Sequence, residues 1–302
     1  MFRRYADPSG TSASLFTAAS DGTRERRLTP SRPGVDDEDP VWSPDGKTVL
    51  FSRIIDPGAE HEVHSMMTIS ADGGAPTYLV RGTRGHGNLV PEFAGSGVYS
   101  PDGSRIAFQH GGGKVAHDQL QHVDIWTMDA DGSNQVNLTR SAPYSGDRGG
   151  VAWSPDGTRL VFSLWVPSTG KPAGGLALFV MNADGTGIHR VTPWSLGAGG
   201  TPDWSARNDR IVFRAVRDEE SGIGNFFSIH PDGSGLTQLT HFKETVISHK
   251  VGFSPDGRWI VFAHPGVDGE GDIYLAAADG TRVHPVTSTP EADSGPDWGP
   301  RP

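Results

Sequence analysis

Val151–Ser163 reads VAWSPDGTRLVFS, and its four-residue segment SPDG occurs four times in the chain. Val41–Ser52 (VWSPDGKTVLFS), Val98–Gln109 (VYSPDGSRIAFQ) and Gly252–Ala263 (GFSPDGRWIVFA) follow the same plan, and a degraded copy, DWSARNDRIVFR, starts at Asp203. Each has an aromatic residue, a turn, and then a run rich in β-branched and aromatic residues, which predicts two short strands joined by a hairpin. Proline presets φ at the second turn position, aspartate tolerates the next, and glycine takes the positive φ at the exit.

A second pattern alternates with the first. It appears as SLFTAASDGTRERRLT from Ser14, MMTISADGGAPTYLV from Met66, DIWTMDADGSNQVNLT from Asp124, ALFVMNADGTGIHRVT from Ala177, NFFSIHPDGSGLTQLT from Asn225 and DIYLAAADGTRVHPVT from Asp272. Six times an apolar strand meets an Asp-Gly turn, and five of the six return strands end in Leu-Thr or Val-Thr. Two hairpins make a four-stranded unit of about 50 residues, a period that means a propeller or array because one unit cannot bury both faces alone.

The chain starts in mid-pattern and stops in mid-pattern at GPDWGPRP from Gly295. Trp298 occupies the place of Trp42, Trp153 and Trp204, so the C-terminal end supplies the inner strand of a unit begun by the N-terminus. Six blades then close, removing exposed sheet edges. The second strand of the closing blade is either missing or supplied by Phe2–Tyr5. The expected fold is all-β: a six-bladed propeller of four-stranded antiparallel blades, closed by pairing N- and C-terminal segments and occupying residues 1–302 as a single domain.

The repeats resemble the WD40-like PD40 repeats of the TolB family, whose motif is WSPDG, an apolar strand, a hairpin of the type I-Y-x-M-N-A-D-G, and L-T. The resemblance covers nearly the whole chain, both halves recur in order, and it implies a six-bladed propeller. It does not extend to TolB's N-terminal α/β domain or export signal. Stand-alone propellers of this kind are diverse in task, so the fold does not assign one.

Composition excludes several classes. The formal charge of −10 repels phosphate backbones and no basic cluster is long enough to reverse that, so nucleic acid is not an expected partner. No apolar run approaches the ~18 residues of a membrane helix, and MFRRYADPSG carries no apolar signal core. The expected location is cytoplasmic for the chain as written, and periplasmic or secreted where an export signal has been removed. Zero cysteines exclude disulfides, thiolate nucleophiles and Cys-zinc sites.

Function is expected on the face opposite the tight turns, where the connections vary in length. Nine of the twelve histidines map there. His110 and His264 lie two residues past Phe108 and Phe262, where another copy has Arg53, and with His64 and His249 these form the candidate catalytic set. Gln119, His122 and Asp124 in HDQLQHVD are similar to the Gln and His metal ligands of oligogalacturonate lyases, although Asp124 also matches Asp272 in the repeat. Asp268, Glu270 and Asp272 in VDGEGD alternate as hard-cation loops do. A divalent metal, Ca, Mn or Zn, is the cofactor these patterns would take. HEVH from His61 has a spacing of three rather than four, so it is not a zincin motif.

Asp36, Asp37, Glu38 and Asp39 read as a charge run that keeps a loop hydrated. Trp42, Tyr99, Trp153, Trp204, Phe253 and Trp298 form a structural register between blades. Trp165, Trp194 and Phe93 fall in variable loops, where an aromatic ring stacks on a sugar or anchors a peptide. GKT at Gly46 lacks the upstream glycine of a P-loop, and there is no G-x-S-x-G elbow. The leading expectation is a propeller binding a peptide, protein or glycan at the loop-bearing mouth of its channel. The alternative is a metal-assisted lyase, isomerase or hydrolase acting on a small anionic or carbohydrate substrate through loop-face histidines.

Overall fold

A computed structural model describes residues 1–6, 11–59, 62–83, 89–114, 123–140, 146–166, 175–216, 223–243, 250–265 and 271–300. Among them the chain is all-β; the one helical element is a 3-10 turn, Trp194–Leu196. Four sheets have four strands each, and an eight-stranded sheet divides into two more sets of four at a single parallel bridge, Ala13↔Asp36. Within a set every pairing is antiparallel.

The chain ends build one of these sets. Phe2–Tyr5 pairs on one side with Ala13–Thr17 and on the other with Asp293–Ser294. The N-terminus therefore supplies the second strand of the closing blade. Phe2 and Phe16 pack with Val261, Ala263, Ile273 and Leu275 of the last internal set, and Trp298 lies against the same cluster. Other cores likewise sit between neighbouring sets: Leu178 and Val180 of one meet Trp204, Ile211 and Phe213 of the next. Burial of both faces gives the middle strands their apolar runs, with the buried arginines among them, Arg4 and Arg53, held by carboxylates.

Each repeated letter has a hydrogen bond. In SPDG the serine hydroxyl donates to the aspartate two residues on and accepts the amide five residues on, as in Ser154 Oγ to Asp156 at 2.5 Å and Arg159 N to Ser154 Oγ at 2.9 Å. The same pair recurs at Ser43, Ser100 and Ser254. These bonds hold Asp102 and Asp156 down at about 2, led by the serine hydroxyls. The closing threonine of the second pattern is buried and accepts a backbone amide fourteen residues earlier, at 2.9–3.0 Å in all five copies. That amide lies on the third strand, at its second to fourth residue. Leu-Thr and Val-Thr recur because a buried N–H there needs an acceptor.

Candidate functional site

Aligned on their aromatic residue, the six inner strands place Asp39, Ser96, Gly150, Thr201, Lys250 and Gly295 at one position, three residues before it. All six line a single cavity of about 500 Å³. The inner strands break register here, between Glu38 and Val41, Gly95 and Val98, Gly149 and Val151, and Gly199 and Asp203. A bulge adds one unpaired residue and re-aims side chains, so the fault recurring in these four strands turns their positions into the channel. Asp39 and Ser96 both take φ of 48°, a region seldom used outside glycine. Their side chains meet, Ser96 Oγ donating to Asp39 Oδ2 at 2.7 Å. Gly150 is required by proximity: a Cβ there would fall on the Thr201 Cα and 2.8 Å from the Gly200 carbonyl.

Charge in the cavity is uneven. Arg3 donates to Asp36 and, at 3.3 Å, to Glu38, with its guanidinium 4.2 Å from the Tyr5 ring. Arg3 Nε and Asp36 Oδ1 are buried with no hydrogen-bond partner among the described residues. Burial, then the neighbouring Asp39, pushes Glu38 up to about 8 against the pull of Arg3. Burial also raises the Tyr5 phenol, opposed by Arg3. Lys250 crosses to the opposite wall, its Nζ donating to Pro40 O at 2.8 Å and lying 3.7 Å from Asp297.

Asp203 and Asp297, each one residue before its tryptophan, latch neighbouring blades. Asp203 accepts Phe253 N at 2.6 Å and Asp297 accepts Trp42 N at 3.0 Å. Burial pushes Asp203 up to about 6, although the amides it accepts act the other way.

One expectation is corrected. Asp36 and Asp37 are 3% and 0% exposed, and Glu38 and Asp39 line the channel, so the acidic run is inner strand rather than hydrated loop. Val35–Trp42 does not alternate, and with four acids in a row its sequence carries no strand signal.

The candidate catalytic residues are placed as follows. Arg53 is held by Asp37 through two bonds of 2.7 and 2.8 Å. His64 lies 2.8 Å from Glu62 and meets Phe93 edge-on at 5.0 Å, so those two candidates are brought together across a blade boundary. His110 packs on Trp126 at 4.9 Å and His264 on Tyr274 at 5.5 Å, each within its own blade, and His264 also meets Phe242 at 4.2 Å, whose amide bonds to Asn225 of the preceding one. None of Arg53, His64, His110 and His264 lines the channel cavity. His249 lies outside the described residues.

Of the proposed ligands, Gln119, His122, Asp268 and Glu270 also lie outside them. Asp124 accepts Thr139 Oγ1 at 2.7 Å and Asn137 Nδ2 at 2.9 Å, and Asp272 accepts Thr287 Oγ1 at 3.2 Å. Both carboxylates therefore orient the closing threonine of their own hairpin. No group of three or more His, Asp or Glu able to hold a metal ion occurs among the described residues. Trp165 is 49% exposed, while Trp194 sits in the 3-10 turn against Phe179 at 5.8 Å. Sequence reasoning missed Arg3, Tyr5, Glu38, Asp39 and Lys250. Counting three residues back from each aromatic would have found Asp39 and Lys250.

Repeated blades around a polar channel define a β-propeller whose inner strands carry the variable chemistry. The PD40 TolB β-propeller domain matches residues 78–301, and the chain belongs to that family. The chain is 34% identical over 125 residues to the Tol-Pal system protein TolB of Anaeromyxobacter dehalogenans, a match covering 41% of this chain and 24% of that one. It thus spans about a quarter of that relative's length. The structure of a putative TolB from Agrobacterium tumefaciens superposes with a TM-score of 0.70 at 20% identity, covering 99% of this chain and 95% of that one. An oligogalacturonate lyase in complex with manganese is similar at TM-score 0.55 and 15% identity, over 91% of this chain and 75% of that one, a likeness of fold alone. No helix among the described residues is long and apolar enough to cross a membrane.

Proposed function

We propose that the chain is a single propeller domain that binds a peptide, protein or glycan through its channel cavity. The observation that supports this is the convergence of six register-equivalent residues, one from each blade, on one polar cavity of about 500 Å³. Their chemistry differs from blade to blade, whereas the SPDG turn recurs in four blades and the closing threonine in five. Pockets that take ligands are concave and carry a few placed polar groups. The reading holds in the cytoplasm and in the periplasm alike.

The test is a screen of immobilised protein against displayed peptides and a glycan array, repeated with Thr201→Trp, which fills the cavity from one wall. Ligands retained by wild type and lost by the folded variant are the expected result. Ligands bound equally by both would refute the channel as the site. The enzymatic alternative, a metal-assisted reaction on an anionic or carbohydrate substrate, predicts stoichiometric metal in tag-free protein, lost in His122→Ala or His110→Ala.

A further inference from the structure

Of the four acids on Val35–Trp42, two have a dedicated cation. Asp37 holds Arg53 and Asp36 holds Arg3. Glu38 has only the longer second contact of Arg3 at 3.3 Å, and Asp39 has the Ser96 hydroxyl. Elsewhere in the cavity the basic groups are engaged, Lys250 with Pro40 O and Asp297, as is Arg4 with Asp293 and Glu25. Of the groups lining the cavity, Glu38 and Asp39 are thus the carboxylates with no cation of their own, beside an Arg3 whose Nε lacks an acceptor among the described residues. A second observation points the same way: Asp36, on the same strand face as Glu38 and with its side chain 4% exposed, leaves Oδ1 buried without a donor. A buried oxygen in that state calls for an N–H or O–H.

Resting on the reading of the channel as the binding site, we infer that the cavity takes the cationic head of its ligand, an alkylammonium or guanidinium, between Glu38 and Asp39. A volume of about 500 Å³ far exceeds a bare ion, and a calcium site gathers six to eight oxygens. An organic cation instead needs carboxylates on one side and small polar walls on the other. Thr201, Ser163 and the uncovered backbone of Gly149, Gly150 and Gly200 provide those walls. A guanidinium additionally matches a carboxylate through two parallel bonds.

Occupancy has a proton signature. Glu38, at about 8, carries a proton at pH 7 in the empty cavity, because burial and Asp39 disfavour its charge. A cation beside it favours the charged form, so binding expels that proton. The groups facing Glu38 are Arg3 and Tyr5 from the first strand, Asp36 and Asp39 on its own strand, and Glu62 ahead of Val63–Ser70, while Arg53 on the adjacent strand is tied to Asp37.

The experiment is isothermal titration at pH 7 in two buffers of different ionisation enthalpy. The probes are an N-acetylated tripeptide amide with central arginine, triglycine amide with its free α-ammonium, the acetylated norleucine analogue, and calcium chloride. The arginine or triglycine probe, or both, should bind at least ten times tighter than the norleucine peptide and release close to one proton; which of the two is preferred identifies the source of the cation. Asp39→Asn and Glu38→Gln should each weaken binding at least tenfold, and Glu38→Gln should abolish proton release. Asparagine tolerates the left-handed φ of position 39, so the first variant folds, which its melting curve checks. Equal affinity for the norleucine peptide, calcium binding in place of the peptides, no heat up to millimolar probe, or unchanged affinity in both variants would each overturn the inference. A neutral ligand blocked by Thr201→Trp keeps the channel reading and sinks the cation. A cationic ligand indifferent to Thr201→Trp sinks both.

Discussion

Thr192 is 1% exposed, and its hydroxyl accepts the Leu178 amide at 2.9 Å. Thr192→Val keeps the shape and removes the acceptor, leaving a buried N–H with no partner, which costs about 2 kcal/mol. At about 2 °C per kcal/mol for a chain of this size, Tm should fall by about 4 °C. Thr192→Ser retains the oxygen and loses one methyl group, so its cost is about 1 kcal/mol. Thr139→Val should cost somewhat more, about 3 kcal/mol, because the Thr139 hydroxyl also donates to Asp124 at 2.7 Å, which is then left with Arg148 at 3.3 Å and Asn137 at 2.9 Å. Urea midpoints and calorimetry on the three variants give the order directly. If Thr192→Val is as stable as wild type while Thr192→Ser is weaker, the methyl carries the position and the hydrogen-bond account of the Leu-Thr and Val-Thr repeat is refuted.

Three further outcomes are expected. Gly150→Ala drives a methyl group into the Thr201 backbone and should lower Tm sharply, whereas Gly58→Ala, with open space around its Cβ, should show only the strain of its φ of 77°. Arg53→Ala strands Asp37, 0% exposed, at a cost of about 3–5 kcal/mol, and the double change Arg53→Met with Asp37→Leu should recover most of it in the same melts. For Asp203, a folded-state value of about 6 exceeds the unfolded value of 3.8, so its contribution is fully present below about pH 4 and is lost as pH rises through 6. The loss is at most about 3 kcal/mol and is reduced by the water that reaches this partly exposed side chain. Asp203→Asn should flatten the stability profile between pH 4 and 7, and an unaltered profile would show that the Phe253 amide, not burial, governs the group.

The scaffold was legible because each of its rules is local. SPDG states a turn, its internal bonds and its exit angle within four residues, and the closing threonine reports a contact always fourteen residues back. The pairing of chain ends followed from Trp298 alone. The channel was not legible in the same way. Asp36–Asp39 looks hydrated because four acids together are ordinarily on a surface, and only two distant arginines, Arg3 and Arg53, make their burial tolerable. Arg3 lies on the second strand of the closing set and Asp36 on the first strand of the next, and no spacing rule connects them. The histidines misdirected attention for the opposite reason: His110 and His264 occupy equivalent places, each facing an aspartate on the next strand and packing diagonally on the aromatic residue two places along it, Trp126 or Tyr274, a matter of blade packing.

Within such a repeat, sameness and difference carry separate information. Positions that recur from blade to blade, the turn serine, aspartate and glycine in four copies and the closing threonine in five, are those whose hydrogen bonds are completed inside the blade. The position three before each aromatic is completed by the other blades or by nothing, and it varies as Asp, Ser, Gly, Thr, Lys and Gly around one ring. At Asp39 and Ser96 the bulge takes the residue out of the ladder, so variation there does not disturb the blade that carries it, whereas Gly150 is held to glycine by the neighbouring Thr201 backbone. The fold can therefore change what its channel recognises without changing how its blades form, and exchange of Asp39 should alter binding with little effect on melting, while exchange of Ser43 should do the reverse.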